Sequence, residues 1–376
     1  MRYLHFSTCP IGHLHSSAFQ AKETNMRQDI LILGATGRVG KTLVKQILAE
    51  GDTNPRVHRN PTNIVGLASS ANFVYAEKGL EDEAIISFLS KPKAGYESLV
   101  SLDALLDDAI GSHQDLAFVD VTAVGEGMYH FHQQVLEHSP FSVVTANKLP
   151  LANASYDDFR KLTRQVSRYG YRCSVMAGAE AVAMIRDLVD VHDPPITIEG
   201  CFSGTLGYLC SQLEEGKLFS EAIRDAHAQG YTEPDPRDDL NGMDVARKLV
   251  ILARTGGHPI YIGENLEVNP FIPAEFLTDE PVEDFMAKLE MADGYFAGRI
   301  SEAAAKGNTL RYVARFSAKG SELQASTCLE DVPINGPLGS LHGTANKIVI
   351  TSHTYKPISP YIVQAPGAGL EITAQN

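Results

Sequence analysis

No apolar run in this 376-residue chain approaches the ~20 residues that a membrane-spanning helix needs, so no spanning role is expected. Positive charge is also scarce: 32 Lys and Arg face 46 Asp and Glu, a formal net charge of -14. That balance argues against nucleic acid or an anionic membrane as the main partner, while still allowing a local basic pocket for a phosphate. The five cysteines (Cys9, Cys173, Cys201, Cys210 and Cys328) are odd in number and scattered. They form no C-x-x-C pair and no Cys/His metal spacing, so free thiols in a reducing compartment, the cytoplasm, are expected. There is no internal repeat, no low-complexity stretch and no convincing signal peptide. What is present is an ordinary globular composition, 44% hydrophobic and 21% charged, long enough for two domains. Residues 1–26 differ from the rest. They show no amphipathic period and only two bases, Arg2 and Lys22, and read as a tail or a mis-assigned start ahead of Met26.

The first chemical signal follows at once. Ile30-Leu31-Ile32-Leu33 is an apolar strand pattern ending in Gly34-Ala35-Thr36-Gly37-Arg38-Val39-Gly40, and KTLVKQILAE then has helical periodicity. Strand, glycine-rich turn and helix open a Rossmann unit, whose backbone approaches a pyrophosphate at a helix N-terminus. Further strands are expected at 63–68, 116–122 and 141–145, with a helix at about 128–137. The alternation predicts a doubly wound parallel sheet over residues 27–150. The second strand ends in Ala68-Ser69-Ser70, with no acid to hold a ribose 2′-hydroxyl, and Arg38 is placed to meet a 2′-phosphate. NADP(H) is therefore the expected cofactor, bound by Gly34, Thr36, Gly37, Arg38, Val39 and Gly40.

Past residue 150 the rhythm changes to an α+β pattern over 151–340, followed by a segment, 341–376, expected to return to the first domain. Helices are expected at 156–169 and 181–191, as one long helix after Gly204, and at 243–255. Strands are expected at 196–202, 310–316, 347–351 and 362–364. Within this part lies GYTEPDPRDDLNGMDVARK, residues 230–248. Two prolines hold its start extended, and Asp239 or Asn241 can cap the helix that follows. Four carboxylates in seven residues, Glu233 to Asp239, suit capture of an ammonium group. Asp244 and Lys248 stand at i and i+4, on one side of a helix. A second lysine, Lys148, lies just beyond the carboxyl end of the 141–145 strand, where open α/β sheets bind ligands.

The set GYTEPDPRDDLNGMDVARK, VVTANK, FSGTLGYL and PGAGLEITA resembles the homoserine dehydrogenase family, from about residue 28 to the end of the chain. The resemblance implies reversible, NADP-dependent reduction of L-aspartate 4-semialdehyde to L-homoserine, a step toward threonine and methionine. It implies a Rossmann domain, a second α+β domain for substrate and dimerisation, and a homodimer. Lys248 matches the proton donor, and Lys148 lies beside cofactor and substrate and shares that role. Glu233, Asp239 and Asp244 match acids that bind the substrate's amino group or order the site. Thr122, Gly230 and Gly369 match cofactor-contacting positions.

Some residues depart from the family pattern. Where relatives commonly read Y-E-A-T-V-G-A-G-L-P, this chain has Arg172 in place of the acid and Glu180 in place of the proline. In some members that acid and nearby carbonyls hold a monovalent cation. A guanidinium there repels a metal, and none is expected. Gly207 replaces a residue that is often polar. The chain ends at Asn376, where relatives continue into one more helix, and a monofunctional form without kinase or regulatory domain is expected. These departures keep two alternatives open: a reductase of another amino aldehyde, and a non-catalytic NADP-sensing Rossmann regulator. A short-chain reductase is excluded, because no Tyr-x-x-x-Lys pair exists.

Overall fold

Six residues, QDILIL, make the central strand β1 (Gln28–Leu33), with its last four side chains buried. Such a run fits a strand covered on both faces. The computed structural model describes residues 27–49, 61–91, 95–99, 101–125 and 127–376; the 1–26 tail lies outside the described residues. Around β1 a seven-stranded sheet is built from β2 (Thr62–Ala68), β3 (Asn72–Tyr75), β4 (Glu97–Ser98), β5 (Ala117–Asp120), β6 (Ser142–Thr145) and β7 (Tyr169–Gly170). Its order is β4-β3-β2-β1-β5-β6-β7. Strands β2, β1, β5, β6 and β7 run parallel, as the alternating pattern predicts. Strand β3 runs against them, pairing antiparallel with both β2 and the edge strand β4, a departure from an all-parallel sheet. The chain leaves β1 toward β2 on one side and reaches β5 on the other, so the crevice at their carboxyl ends is a topological switch point.

Helix Arg38–Ala49 packs Val44 and Ile47 against Ile30, Ile32 and Ile64 on one face of this sheet. On the other face Leu31, Phe118 and Val143 join a core that runs on without a break into the second sheet. That sheet comprises β8 (Thr197–Cys201), β9 (Leu266–Val268), β10 (Asn308–Lys319), β11 (Glu322–Pro333), β12 (Ala345–Thr351) and β13 (Tyr361–Pro366), in the order β13-β12-β8-β10-β11-β9. Helices Gly204–Glu214, Met243–Thr255 and Asp293–Ala305 pack against it. Helix Met243–Thr255 is buried from Val245 to Arg254 except Arg247, wider than the apolar stripe Ala246, Leu249, Val250 and Ala253 suggests.

Three local expectations are corrected. The helix read over 156–169 stops at Thr163, because Tyr169 is drawn into the sheet beside β6. The long helix after Gly204 is two, Gly204–Glu214 and Phe219–Ala228, broken at Gly216, which takes φ +89°. Gly242, not Asp239 or Asn241, is the N-cap of the 243–255 helix, although Asn241 Oδ1 accepts from Met243 N–H at 2.8 Å. The final residues, Leu370–Gln375, form a helix within the PGAGLEITA motif that packs on helix Arg38–Ala49, where Gln46 Nε2 donates to the Glu371 carbonyl at 3.0 Å. The 341–376 segment thus divides, with 345–366 in the second sheet and 370–375 against the first.

Candidate functional site

At the carboxyl end of β1, Gly34 adopts φ +82°, a conformation that L side chains rarely take. Its N–H and that of Ala35 both donate to the Ala68 carbonyl at 3.0 Å, closing the turn over β2. A Cβ on Gly34 would sit 3.1 Å from Thr122 Cγ2, so the loop and Thr122 lie side by side across the switch point. Gly40 is tighter still. A Cβ there would collide with the Gly34 carbonyl and come within 2.7 Å of Ala35 Cα. These contacts let helix Arg38–Ala49 start directly beneath the loop. Its first turn contains no acid, Thr36 and Val39 are half-buried, and Gly37 and Arg38 are exposed. A helix N-terminus without anions, opening from a backbone this close, fits a dinucleotide pyrophosphate.

Beside it stands the lysine cluster. Lys148 follows β6 and caps the short helix Leu149–Asn153. Its Nζ is 3.1 Å from Asp244 Oδ1. Asp244 is in the first turn of helix Met243–Thr255, and its Oδ2 lies 2.7 Å from Lys248 Nζ. One carboxylate therefore bridges two lysines from different parts of the chain, which the i,i+4 spacing alone did not foretell. Lys248 is 8% exposed, and its ammonium also donates to the Phe202 carbonyl at 2.7 Å. Burial pushes the Lys248 pKa below the ordinary lysine value, against the pull of Asp244. Burial acts on Asp244 too, but the two ammonium groups outweigh it and hold that carboxyl well below the usual range. The Phe202 carbonyl was missed by sequence reasoning, since a backbone acceptor leaves no side-chain signal.

The acids of the 230–239 loop separate into two kinds. Asp235 is taken by Arg237, whose guanidinium NH2 donates to Oδ2 at 2.7 Å, so it is not free for a ligand. Asp238 is exposed. Asp239 accepts the Glu233 N–H at 2.8 Å, and burial, helped by the charges of Glu233 and Asp244, raises its carboxyl to about 6. Glu233 is exposed at the same place. The four-carboxylate cluster thus reduces to Glu233 and Asp239, with Asp244 behind them. Gly230, at φ +70°, ends helix Phe219–Ala228 in open space. Gly369 precedes the C-terminal helix that packs on the glycine-loop helix.

The two off-pattern charges find each other. The Arg172 guanidinium pairs with Glu180 and donates to the Gly178 carbonyl. It spans a turn in which Met176, Ala177 and Gly178 have φ +52°, +50° and +87°. Among the described residues no cluster of three His, Cys, Asp or Glu side chains is placed to hold a metal.

Comparison with known proteins bears on this geometry. The family profile "Homoserine dehydrogenase" matches residues 182–376. A bifunctional aspartokinase/homoserine dehydrogenase of Buchnera aphidicola is 38% identical over 97% of this chain and 43% of its own length. A chloroplastic one of Zea mays is 32% identical over 96% of this chain and 38% of its own. The chain spans less than half the length of these curated relatives. Among solved structures, a Candida auris protein of unknown function is 29% identical with a TM-score of 0.79, covering 93% of this chain and 95% of that one. A hyperthermophilic archaeal homoserine dehydrogenase in complex with NADPH shares the fold at 22% identity and TM-score 0.67, covering 93% of this chain and 94% of that one.

Proposed function

This chain belongs to the homoserine dehydrogenase family, and from that premise we propose that it reversibly reduces L-aspartate 4-semialdehyde to L-homoserine with NADPH, toward threonine and methionine. The observation that carries the reading is the Lys148–Asp244–Lys248 bridge, whose Lys148 follows Asn147, bonded to the Thr122 that lies against the glycine loop. When bound, the nicotinamide supplies the hydride that reduces the aldehyde carbon. Lys248 Nζ offers a proton to the aldehyde oxygen as negative charge grows there. Its depressed pKa eases that transfer, and Asp244 keeps it protonated until then. Lys148 adds a second positive charge, so the same oxygen meets two cations. Glu233 and Asp239 hold the substrate's ammonium, which fixes the orientation of the aldehyde end.

NADPH rather than NADH is supported by exposed Arg38 and by β2 ending at Ala68-Ser69-Ser70 without an acid. Gly34, Thr36, Gly37, Val39 and Gly40 would hold the pyrophosphate, with Thr122, Gly230 and Gly369 around the rest of the cofactor. We assign 27–150 to the cofactor and 151–340 to substrate and dimer contacts. The sheet face carrying Glu199, Arg315 and Gln324, an open depression of about 570 Å³, suits the homodimer contact. A cytoplasmic setting agrees with the four described cysteines being free thiols. No described helix is long and apolar enough to cross a membrane.

The test is oxidation of NADPH in the presence of aspartate 4-semialdehyde, with Lys248→Ala alongside. Turnover should fall at least ~100-fold in the variant while NADPH still binds, the loss typical of removing a general acid. An active Lys248→Ala enzyme would remove that lysine from the reaction. Intact NADPH binding with no turnover by the wild type would favour another aldehyde or a sensor.

A further inference from the structure

We infer that Asp120 and His132, both fully buried, are positioning residues that fix Thr122 and Lys148 toward the dinucleotide; the inference rests on the dinucleotide reading above. Asp120 ends β5 with no exposed surface, His132 is equally inaccessible and Thr145 nearly so. A carboxylate in such a place is costly, and an apolar residue of similar volume is often at least as stable. Its four contacts show what it accomplishes there. Oδ1 accepts from both the backbone N–H and the hydroxyl of Thr122, at 2.9 and 2.7 Å. Oδ2 accepts from the Thr145 hydroxyl at 3.1 Å and lies 3.2 Å from His132 Nε2.

The histidine is itself aimed. It comes from helix Met128–His138, and its Nδ1 stands 3.0 Å from the Tyr169 hydroxyl on β7. That contact turns the ring so that Nε2 faces Asp120 Oδ2 within ion-pair distance, short of a formed hydrogen bond. From the other end, Thr145 Oγ1 accepts from Asn147 N–H at 3.0 Å. The Asn147 amide donates to Thr122 Oγ1 at 3.2 Å and to the Val124 carbonyl at 2.7 Å, and its Oδ1 accepts from Leu149 N–H at 3.1 Å. Lys148 lies between Asn147 and Leu149, with both neighbours tied. One buried carboxylate thus fixes the loops after β5 and β6 together. Those loops carry Thr122 beside Gly34 and Lys148 against Asp244. The substrate acids Glu233 and Asp239 belong to another part of the chain and make no contact with this network. Its loss should therefore weaken NADPH binding and, through Lys148, lower kcat, while leaving Glu233 and Asp239 to hold the substrate ammonium and set the aldehyde KM.

The experiment compares His132→Leu, His132→Gln and Asp120→Asn with the full-length wild type. NADPH binding is measured by calorimetry, the KM for the aldehyde by turnover, and folding by thermal melting. Leucine and glutamine are of similar size, but only glutamine can donate from the Nε2 position. Leaving the buried carboxylate short of a polar neighbour, or removing its charge, predicts ~10-fold weaker NADPH binding in His132→Leu and Asp120→Asn. Binding by His132→Gln should return to within about threefold of the wild type, with the aldehyde KM unchanged in all three. Should His132→Leu not fold, the His132→Gln and Asp120→Asn pair decides. NADPH affinity in His132→Leu or Asp120→Asn equal to the wild type, or equal losses for leucine and glutamine, would overturn the inference while leaving the proposed function standing. A wild type that binds no NADPH would overturn the proposed function itself, and the inference with it.

Discussion

Asp244 is the single anion between two ammonium groups, and Asp244→Asn removes its charge with little change of shape. At the 2.7 Å separation from Lys248 Nζ, and with an effective dielectric constant of ~20, the gross attraction is ~6 kcal/mol. Solvent reaches the pair, because the Asp244 side chain is 39% exposed, and Lys148 shares the carboxylate. The part that survives screening is on the order of 1.5–4 kcal/mol, or ~1–3 pH units on the buried lysine. The sign follows from burial. Lys248 is already held below the ordinary lysine value by desolvation, with Asp244 the main opposing pull, so loss of the carboxylate lowers it further. Reduction needs the ammonium form, so activity is present at low pH and lost as pH rises through the Lys248 pKa. In Asp244→Asn that descending limb should move ~1–3 units toward acid, with a corresponding loss of kcat on its alkaline side. The assay is the pH profile of kcat for aldehyde reduction at saturating NADPH. A limb that stays in place, or moves toward alkali, would refute the role given to Asp244.

Other outcomes follow from the same geometry. The Asp239 carboxyl, raised to about 6, is a carboxylate above that pH and neutral below it. The KM for the amino aldehyde should therefore climb as pH falls through 6, and Asp239→Asn should flatten that rise while increasing KM at neutral pH. Gly40→Ala drives a methyl into the Gly34 carbonyl and Ala35 Cα, backbone atoms that cannot swing aside. It should cost roughly 1–3 kcal/mol of stability, seen in thermal melting, and weaken NADPH binding. Arg38→Ala should raise the KM for NADPH by ~10-fold and leave that for NADH nearly unchanged, the loss of one charge-assisted phosphate contact. For the Arg172–Glu180 pair, both side chains are well exposed, so a double-mutant cycle should return a coupling of ~1 kcal/mol or less. Arg172→Ala should still exceed Glu180→Ala in effect, because it also releases the Gly178 carbonyl.

Residues with a strong local cause were readable in advance. The strand–glycine–helix opening was clear because β1 is apolar on both faces and Gly34 and Gly40 answer backbone crowding that any side chain would worsen. Helix Met243–Thr255 was bounded correctly, since Gly242 precedes it and Gly256 ends it. What escaped depends on partners distant in sequence. Tyr169 reads as the end of a helix until β6 recruits it. Strand β11 (Glu322–Pro333) alternates weakly and owes its length to twelve residues of pairing with β10. Both lysines and the acids were singled out from the sequence one by one; the contact that joins the lysines through Asp244 was not legible, because Lys148 and Asp244 stand 96 positions apart. Asp235 looked like a ligand-capturing acid and is instead consumed by Arg237, two positions along.

The departures from the family pattern are easier to understand in pairs than one at a time. Arg172 and Glu180 are each out of place alone, one a cation at an acid's position and the other a charge at a proline's. In the fold they neutralise each other across a turn with three successive left-handed residues. That turn is where the C-terminal helix docks: Asn376 Nδ2 donates to the Ala177 carbonyl at 3.3 Å, and Cys173 Sγ lies 3.5 Å from the Thr373 carbonyl. Gly207 has a similar logic, since a Cβ there would approach the Gly343 carbonyl to 2.8 Å, and Ser211 Oγ in the same helix accepts the Gly343 N–H at 2.8 Å. A polar side chain at position 207 would push that turn away. The changes therefore fall where one chain segment leans on another, while Lys148, Glu233, Asp239, Asp244 and Lys248 keep the pattern. Those adjustments leave the Lys148–Asp244–Lys248 bridge to be built by other residues, so packing at these segment contacts and charge at the site can be altered independently.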